Sequence, residues 1–280
     1  MATRQLASKR PGEPKWRVRG VPVFGYHGLT SSKEAEHPAR ERKYWVRRAE
    51  FQTQLERIGE RGFSDGRLEE LAGEDLTADR PINSVVLTFD DGLISQYALA
   101  FPLLAEFQIR AYFFVNTSTV DLPGFLTWSQ MLEMQEAGMS FQSHSHEHLY
   151  LSWLSPSALE RQLRDSKQIL EDRLGHPVRF LSAPFGDLNG RVVEMARSLG
   201  YQAVCNSRSW PSHPGKSVVN RVAVYADTTV EHFERLMMGD PVCYAGRAAR
   251  EMALYVPKRL MLRLRPSPAP TGPLSTVTEK

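Results

Sequence analysis

Two short stretches of this 280-residue chain concentrate groups able to do acid–base or metal chemistry. The first, Val85-Val86-Leu87-Thr88-Phe89-Asp90-Asp91-Gly92, is an apolar run that ends in adjacent carboxylates and a glycine. Neighbouring carboxylates repel one another, so they need a cation or must take different jobs. The second, Ser143-His144-Ser145-His146-Glu147-His148, holds three of the eight histidines within five residues. Histidines four apart share one face of a helical turn and can both direct a ring nitrogen at one ion. One aspartate with two histidines makes a facial ligand set that leaves positions open for water and substrate, which means catalysis rather than a structural site. Taken singly, Asp-Asp-Gly reads as a turn and a surface His-x-His as an accident. Their joint occurrence at two strand ends argues for metal binding.

Positioning such groups requires strands that end where they begin. Strand-like runs are expected at Val21–His27, Ser84–Phe89, Arg110–Val115, Met139–Ser143, Val178–Ser182, Tyr201–Asn206 and Val218–Val224. Helix-like segments lie between them, near Arg48–Arg61, Ser95–Gln108, Trp128–Ala137, Pro156–Leu174, Leu188–Leu199 and Thr229–Met238. This alternation predicts a parallel α/β sheet or barrel, whose sites lie at the C-terminal ends of the strands. Gly62, Gly138, Gly175 and Gly200 each follow a helical run, where glycine takes a left-handed cap without strain. The chain reads as one domain without internal repeats.

Thr88-Phe89-Asp90-Asp91-Gly92, then His144-Ser145-His146-Glu147-His148, then Pro184-Phe185-Gly186 resemble the successive motifs of the polysaccharide deacetylases of carbohydrate esterase family four, the NodB homology domain. Further stretches match in order: Val23-Phe24-Gly25-Tyr26-His27-Gly28, similar to members with an N-terminal Tyr-His strand; Phe51 to Phe63; Leu126-Thr127-Trp128 through Ala137-Gly138; and Asn220-Arg221-Val222. The resemblance spans roughly Val21 to Met238. It implies a deformed (β/α)7 barrel in which Asp91, His144 and His148 hold a divalent metal, usually zinc, and Asp90 is the general base. It further implies an oxyanion contact from the Phe185 N–H beside Pro184, and a general-acid role for His27. His146 is the competing ligand.

Some positions depart from the family pattern. Ser182 stands where many members carry an arginine shortly before the Pro-aromatic-Gly motif, so the usual cation partner of the catalytic aspartate is missing there. Asn206 stands where many have an aspartate four residues before a tryptophan, here Trp210, a candidate wall of the acyl pocket. Losing both charges is milder than losing one. Phe185 replaces a more usual tyrosine.

Composition bounds the remaining choices. Two cysteines exclude a disulfide scaffold and a four-cysteine zinc fold. No run approaches the roughly 20 apolar residues of a membrane span, and residues 1–20 lack a secretory apolar stretch, so a cytoplasmic location is expected. The net charge of +3 hides basic ends around an acidic middle: residues 1–20 carry six Lys/Arg against Glu13, and residues 241–280 carry seven against two glutamates. That layout does not suit a nucleic-acid-binding domain. The basic ends read as solvated extensions at 1–20 and 239–280 around a catalytic domain at 21–238. In the second, Arg259, Arg263 and Arg265 among Leu260, Met261, Leu262 and Leu264 would also suit weak contact with an anionic membrane surface.

Three functional readings compete. The first is metal-dependent removal of an N-acetyl group from an amino sugar in a glycan, lipid-linked sugar or related glycoconjugate precursor. The second is the same hydrolysis of a non-sugar amide, formamide or cyclic imide. The third is a catalytically silent glycan-binding module, whose sugar platform would draw on Trp128, Tyr150 or Trp153.

Overall fold

The computed structural model describes residues 18–31, 42–73 and 83–263, with side chains up to residue 253. In chain order the elements are β1 (Val23–Tyr26), β2 (Gly28–Thr30), β3 (Trp45–Arg47), α1 (Arg48–Glu60), β4 (Ser64–Asp65), α2 (Leu68–Ala72), β5 (Ser84–Phe89) and α3 (Phe101–Glu106). There follow β6 (Ala111–Val115), α4 (Trp128–Glu136), β7 (Ser140–Ser143), α5 (Pro156–Leu174), β8 (Phe180–Ser182), α6 (Gly190–Ser198) and β9 (Ala203–Cys205). The chain continues through β10 (Val218–Val219), β11 (Val222–Ala223), α7 (Val230–Met237) and α8 (Pro241–Arg263).

Among the described residues, nine strands form a parallel sheet in the order β10-β9-β8-β7-β6-β5-β1-β11, with β4 beside the start of β5, and β2 and β3 pair separately. The two edge strands, β10 and β11, are separated in sequence only by Asn220 and Arg221. The sheet therefore curls until its edges nearly meet, giving the deformed barrel that the family resemblance implies, within the parallel α/β class that the alternation of elements predicts. The expected strand Val218–Val224 is thus corrected to two short strands on opposite edges. Its interruption at Asn220-Arg221 is the seam.

Alternation along each strand divides the core in two. Val85, Leu87, Phe89, Phe113, Val115, Leu181 and Val204 point outward under the helices. Val23, Val86, Tyr112, Phe114, Phe180, Ala203 and Cys205 fill the lumen. This is the period-2 geometry of strands covered on both faces. Four helices start where side chains satisfy their first N–H groups: Thr127 and Gln130 form a reciprocal capping box on α4, and Ser155, Asn189 and Thr229 cap α5, α6 and α7. Gly62, Gly138, Gly175 and Gly200 all have positive φ after their helices, as expected.

Register then places the chemistry. Tyr26 is level with Phe89, so His27 and Asp90 leave adjacent strands side by side. Val115 is level with Ser143, and Ser143 with Leu181, which brings His144 and Pro184 to the same rim. Helix α8 begins packed on the body, with Cys243 and Tyr244 buried. The side chains of the basic and apolar segment from Arg259 to Arg265 lie outside the described residues, and no helix among the described residues is long and apolar enough to cross a membrane.

Candidate active site

Asp91, His144 and His148 converge at the C-terminal rim of the sheet. One ligand atom from each lies within 4.8 Å of the others. The Asp91 Oδ1 atom is 3.5 Å from His144 Nε2 and 3.4 Å from His148 Nε2. His146, the competing ligand, turns away, its Nδ1 held 2.7 Å from Thr117 Oγ1.

The histidines do not lie on a helical turn, which corrects the spacing argument. They are brought together by an irregular loop in which Ser145 has φ 67° and His148 φ 54°. Asp91 is also left-handed, at φ 76°, and so is Phe185, at φ 60°. Left-handed backbone at non-glycine residues is costly and tends to gather at functional sites. After Asp91 comes Gly92, at φ 68°, where a Cβ would lie 3.0 Å from Val115 Cγ1. The histidine loop is pinned from beneath: Ser143 Oγ meets Ser166 Oγ at 2.9 Å, Ser145 Oγ accepts the His148 N–H, and Gln162 Oε1 accepts the Glu147 N–H.

Hydrogen bonds and burial decide the protonation of each group. His144 Nδ1 lies 2.8 Å from the Ser182 carbonyl oxygen, so Nδ1 carries the hydrogen and Nε2 keeps its lone pair. That Nε2 is buried and has no hydrogen-bond partner. Burial disfavours charge on His144, but Asp90 and Asp91 outweigh it and raise its pKa. Burial lowers His148 to about 4, against the pull of Asp91. Asp91 is held well below the ordinary carboxylate range, burial being outweighed by the neighbouring histidines. An ionised carboxylate and two imidazole nitrogens, one of them buried without a partner, fit a divalent cation of zinc type.

Asp90 is arranged differently. Its carboxylate is bound at both oxygens by Arg221, with Nη1 to Oδ1 and Nη2 to Oδ2 both at 2.7 Å. Burial raises its pKa, yet Arg221 and then His144 bring it down to about 2, so it stays ionised. Arg221 leaves the seam between β10 and β11 and runs up the lumen. It donates to Ser182 Oγ at 2.8 Å and to the Asn206 carbonyl at 3.2 Å, and crosses the Phe114 ring. The guanidinium missing from position 182 thus arrives from the opposite edge of the sheet, and Ser182 becomes one of its acceptors. The signal was present: an arginine inside the apolar run Val218–Val224 must find a buried partner.

Gln96 was not singled out by sequence. It sits in a π-helical turn, Gln96–Ala100, a form often found at functional sites. Its Nε2 donates to the carbonyls of both Asp90, at 2.5 Å, and His27, at 3.0 Å, tying two strand ends together.

His27 lies beside this pair, its ring 4.7 Å from that of Tyr44 and its Nδ1 buried without a partner. Pro184 is buried in the turn Pro184–Gly186, and Phe185 rests 45% exposed with its ring 4.5 Å from that of His148. Trp210 makes its ring contact with Tyr244 of α8, at 5.8 Å, rather than with the cluster. Trp128 packs beneath Arg173 of α5, whereas Tyr150 and Trp153 stack together near Phe185.

Residues 77–204 match the polysaccharide deacetylase family model. The chain is 31% identical over 144 residues to a peptidoglycan-N-acetylglucosamine deacetylase of Bacillus cereus, covering 49% of this chain and 65% of that protein. It is 26% identical over 188 residues to a poly-beta-1,6-N-acetyl-D-glucosamine N-deacetylase of Staphylococcus epidermidis, covering 62% and 63%. Its matches thus span about 62 to 65% of the length of these and a further curated relative. Among solved structures, the deacetylase PplD of Streptococcus pyogenes, in complex with acetate, superposes with a TM-score of 0.70 at 25% identity, over 80% of this chain and 100% of that one. Ordered motifs, a curled parallel sheet and a rim of Asp-His-His beside an arginine-bound aspartate agree with these matches: over residues 77–204 the chain is similar to the polysaccharide deacetylases.

Proposed function

We propose that this protein is a metal-dependent N-deacetylase that hydrolyses the N-acetyl group of an amino sugar within a glycan or glycoconjugate. The observation that carries this reading is the pairing of two unlike carboxylates: Asp91 faces two histidine nitrogens, and Asp90, one residue earlier, is held ionised by Arg221. Asp91, His144 and His148 would hold the cation, with zinc the best match to two nitrogens and one oxygen. When bound, it supplies Lewis acidity for an amide that is otherwise a poor electrophile.

The remaining work falls to the chain. Asp90 takes a proton from the attacking water as the C–O bond forms. The Phe185 N–H supports the oxyanion. His27, leaving β1 beside Asp90, gives a proton to the nitrogen as the C–N bond breaks, releasing acetate and the free amine.

Acetate release from a panel of N-acetylated sugars, measured by mass spectrometry on zinc-loaded protein, tests the reading. Asp90→Asn should keep the metal and lose about 10²- to 10⁴-fold in rate. His144→Ala should lose the metal by elemental analysis. Undiminished turnover in Asp90→Asn, or no acetate from any amino sugar, would overturn the proposal.

A further inference from the structure

Helix α8 meets the body along one side and leaves the other uncovered. Cys243 and Tyr244 are buried, and Arg247 turns inward, its Nη1 donating to the Ala223 carbonyl at 2.6 Å. Glu251, the only acid in the helix, accepts from the Ser209 N–H at 3.0 Å and from the Ser209 hydroxyl. Residues three and four apart share a helix face. On the face turned from the body, Val242, Ala245, Gly246, Ala249, Met252 and Ala253 are all exposed.

Val242 at 71% and Met252 at 70% are the most open of the large apolar side chains among the described residues. Trp210, itself exposed, stands edge-on against Tyr244 of the same helix at 5.8 Å. Single exposed apolar side chains are ordinary, but several gathered on one helix and the loop against it make a patch with a use. The charges around it are of one sign. Arg250 and Arg208 are exposed beside the patch, and Glu251 is tied to the loop of Ser209. The helix continues to Arg263, and its sequence from Leu254 onward adds Lys258, Arg259 and Arg263 without a further acid.

A second copy of this helix would set arginine against arginine, whereas anionic headgroups supply the opposite charge and admit apolar side chains between them. Basic residues flanking an apolar face, with a tryptophan at its margin, suit a bilayer surface. No helix among the described residues is long and apolar enough to cross the bilayer, so the contact is with its surface. We infer that α8 docks the protein on an anionic lipid bilayer, lying along it with Val242 and Met252 in the headgroup layer and Arg250 at the phosphates. Contacts lead from the helix to the reaction centre: Arg247 crosses the Tyr225 ring, Tyr225 is 5.7 Å from Tyr44, and Tyr44 is 4.7 Å from His27. Docking therefore holds the rim near the bilayer and favours amides attached there over the same group in free solution.

Co-sedimentation of the full chain with vesicles tests the docking without any substrate, so its outcome is separate from that of the deacetylase assay. Phosphatidylcholine vesicles with about one-third phosphatidylglycerol should bind the protein about tenfold more tightly than phosphatidylcholine alone, and raising salt from about 0.05 to about 0.5 M should remove most of that difference. Met252→Glu and Arg250→Glu, both at exposed positions and expected to keep the melting temperature, should each lower partition onto the anionic vesicles about tenfold. Equal binding to the two vesicles, no binding by the wild type, or unchanged partition in either variant would overturn the docking. So would a dimer in analytical ultracentrifugation that Met252→Glu dissociates while vesicles stay unbound, since the face would then belong to a second copy.

Discussion

The two ends of the curled sheet treat their polar groups in opposite ways. At the C-terminal rim, His144 Nε2 and His27 Nδ1 are buried without partners, and Asp91, Ser145, His148 and Phe185 are held in left-handed backbone. At the N-terminal end, Arg110 is bonded to Asp65 at 2.5 Å, and the Tyr112 hydroxyl donates to Glu69 while accepting the Leu68 N–H at 3.0 Å. Among the described residues of these strand starts, the neutral hydroxyl of Ser84 is also left without a partner. A concavity lined by Arg67, Glu69, Arg110 and Tyr112 also opens at this end, where Glu69 is bonded to Tyr112 and Arg110 to Asp65. Groups that satisfy each other stabilise; groups left open on a strained frame are available to something that is not protein.

The contrast can be broken most severely at Arg221. Arg221→Met leaves Asp90 as a buried charge without its counter-ion, and stability should fall by about 3–5 kcal/mol in urea unfolding. Adding Asp90→Asn should recover much of that loss, because the uncompensated charge is removed; the double-mutant cycle measures the coupling. A loss below about 1 kcal/mol in Arg221→Met would show that the pair does not hold this end together. Tyr112→Phe sharpens the contrast from the other end. It strips the hydroxyl that serves both the Leu68 N–H and Glu69, and should cost about 1–3 kcal/mol with kcat per folded molecule unchanged. A kcat drop matching that of Asp90→Asn would mean that the two ends are not independent. The smallest effect is expected at the half-exposed Arg110–Asp65 pair. Arg110→Ala should cost about 0.2–1 kcal/mol, shrinking as salt is raised from 0.05 to about 0.5 M.

Sequence reading located the rim more surely than its wiring. Apolar runs of strand length, ending in Asp90-Asp91 and before His144, are local patterns, and the helix-terminal glycines are equally local; all appear where expected. The short elements β2, β3, β4 and α2 carry too few residues to show a period. The break at Asn220-Arg221 was hidden because Val218–Val224 has the length and apolar ends of a single strand. Which residue would neutralise Asp90 depends on two sheet edges meeting across 131 positions, a fact of closure that no local pattern contains. The convergence of His144 and His148 was foreseen for the wrong reason, since two left-handed residues rather than a helical turn achieve it. Trp210 is a residue whose ring contact, with Tyr244 of α8, no local pattern foretold.

The seam has a further consequence, in the order of synthesis. The chain emerges with Asp90, Asp91, His144 and His148 long before residue 221, and the strands that carry them can pair as they appear. Until the seam is made, the carboxylate of Asp90 has no guanidinium to face and gains from staying in water. A nascent or truncated chain that stops before Arg221 therefore carries every residue named in the three motifs and still lacks a formed site. Neutralisation of Asp90 and closure of the sheet become a single event.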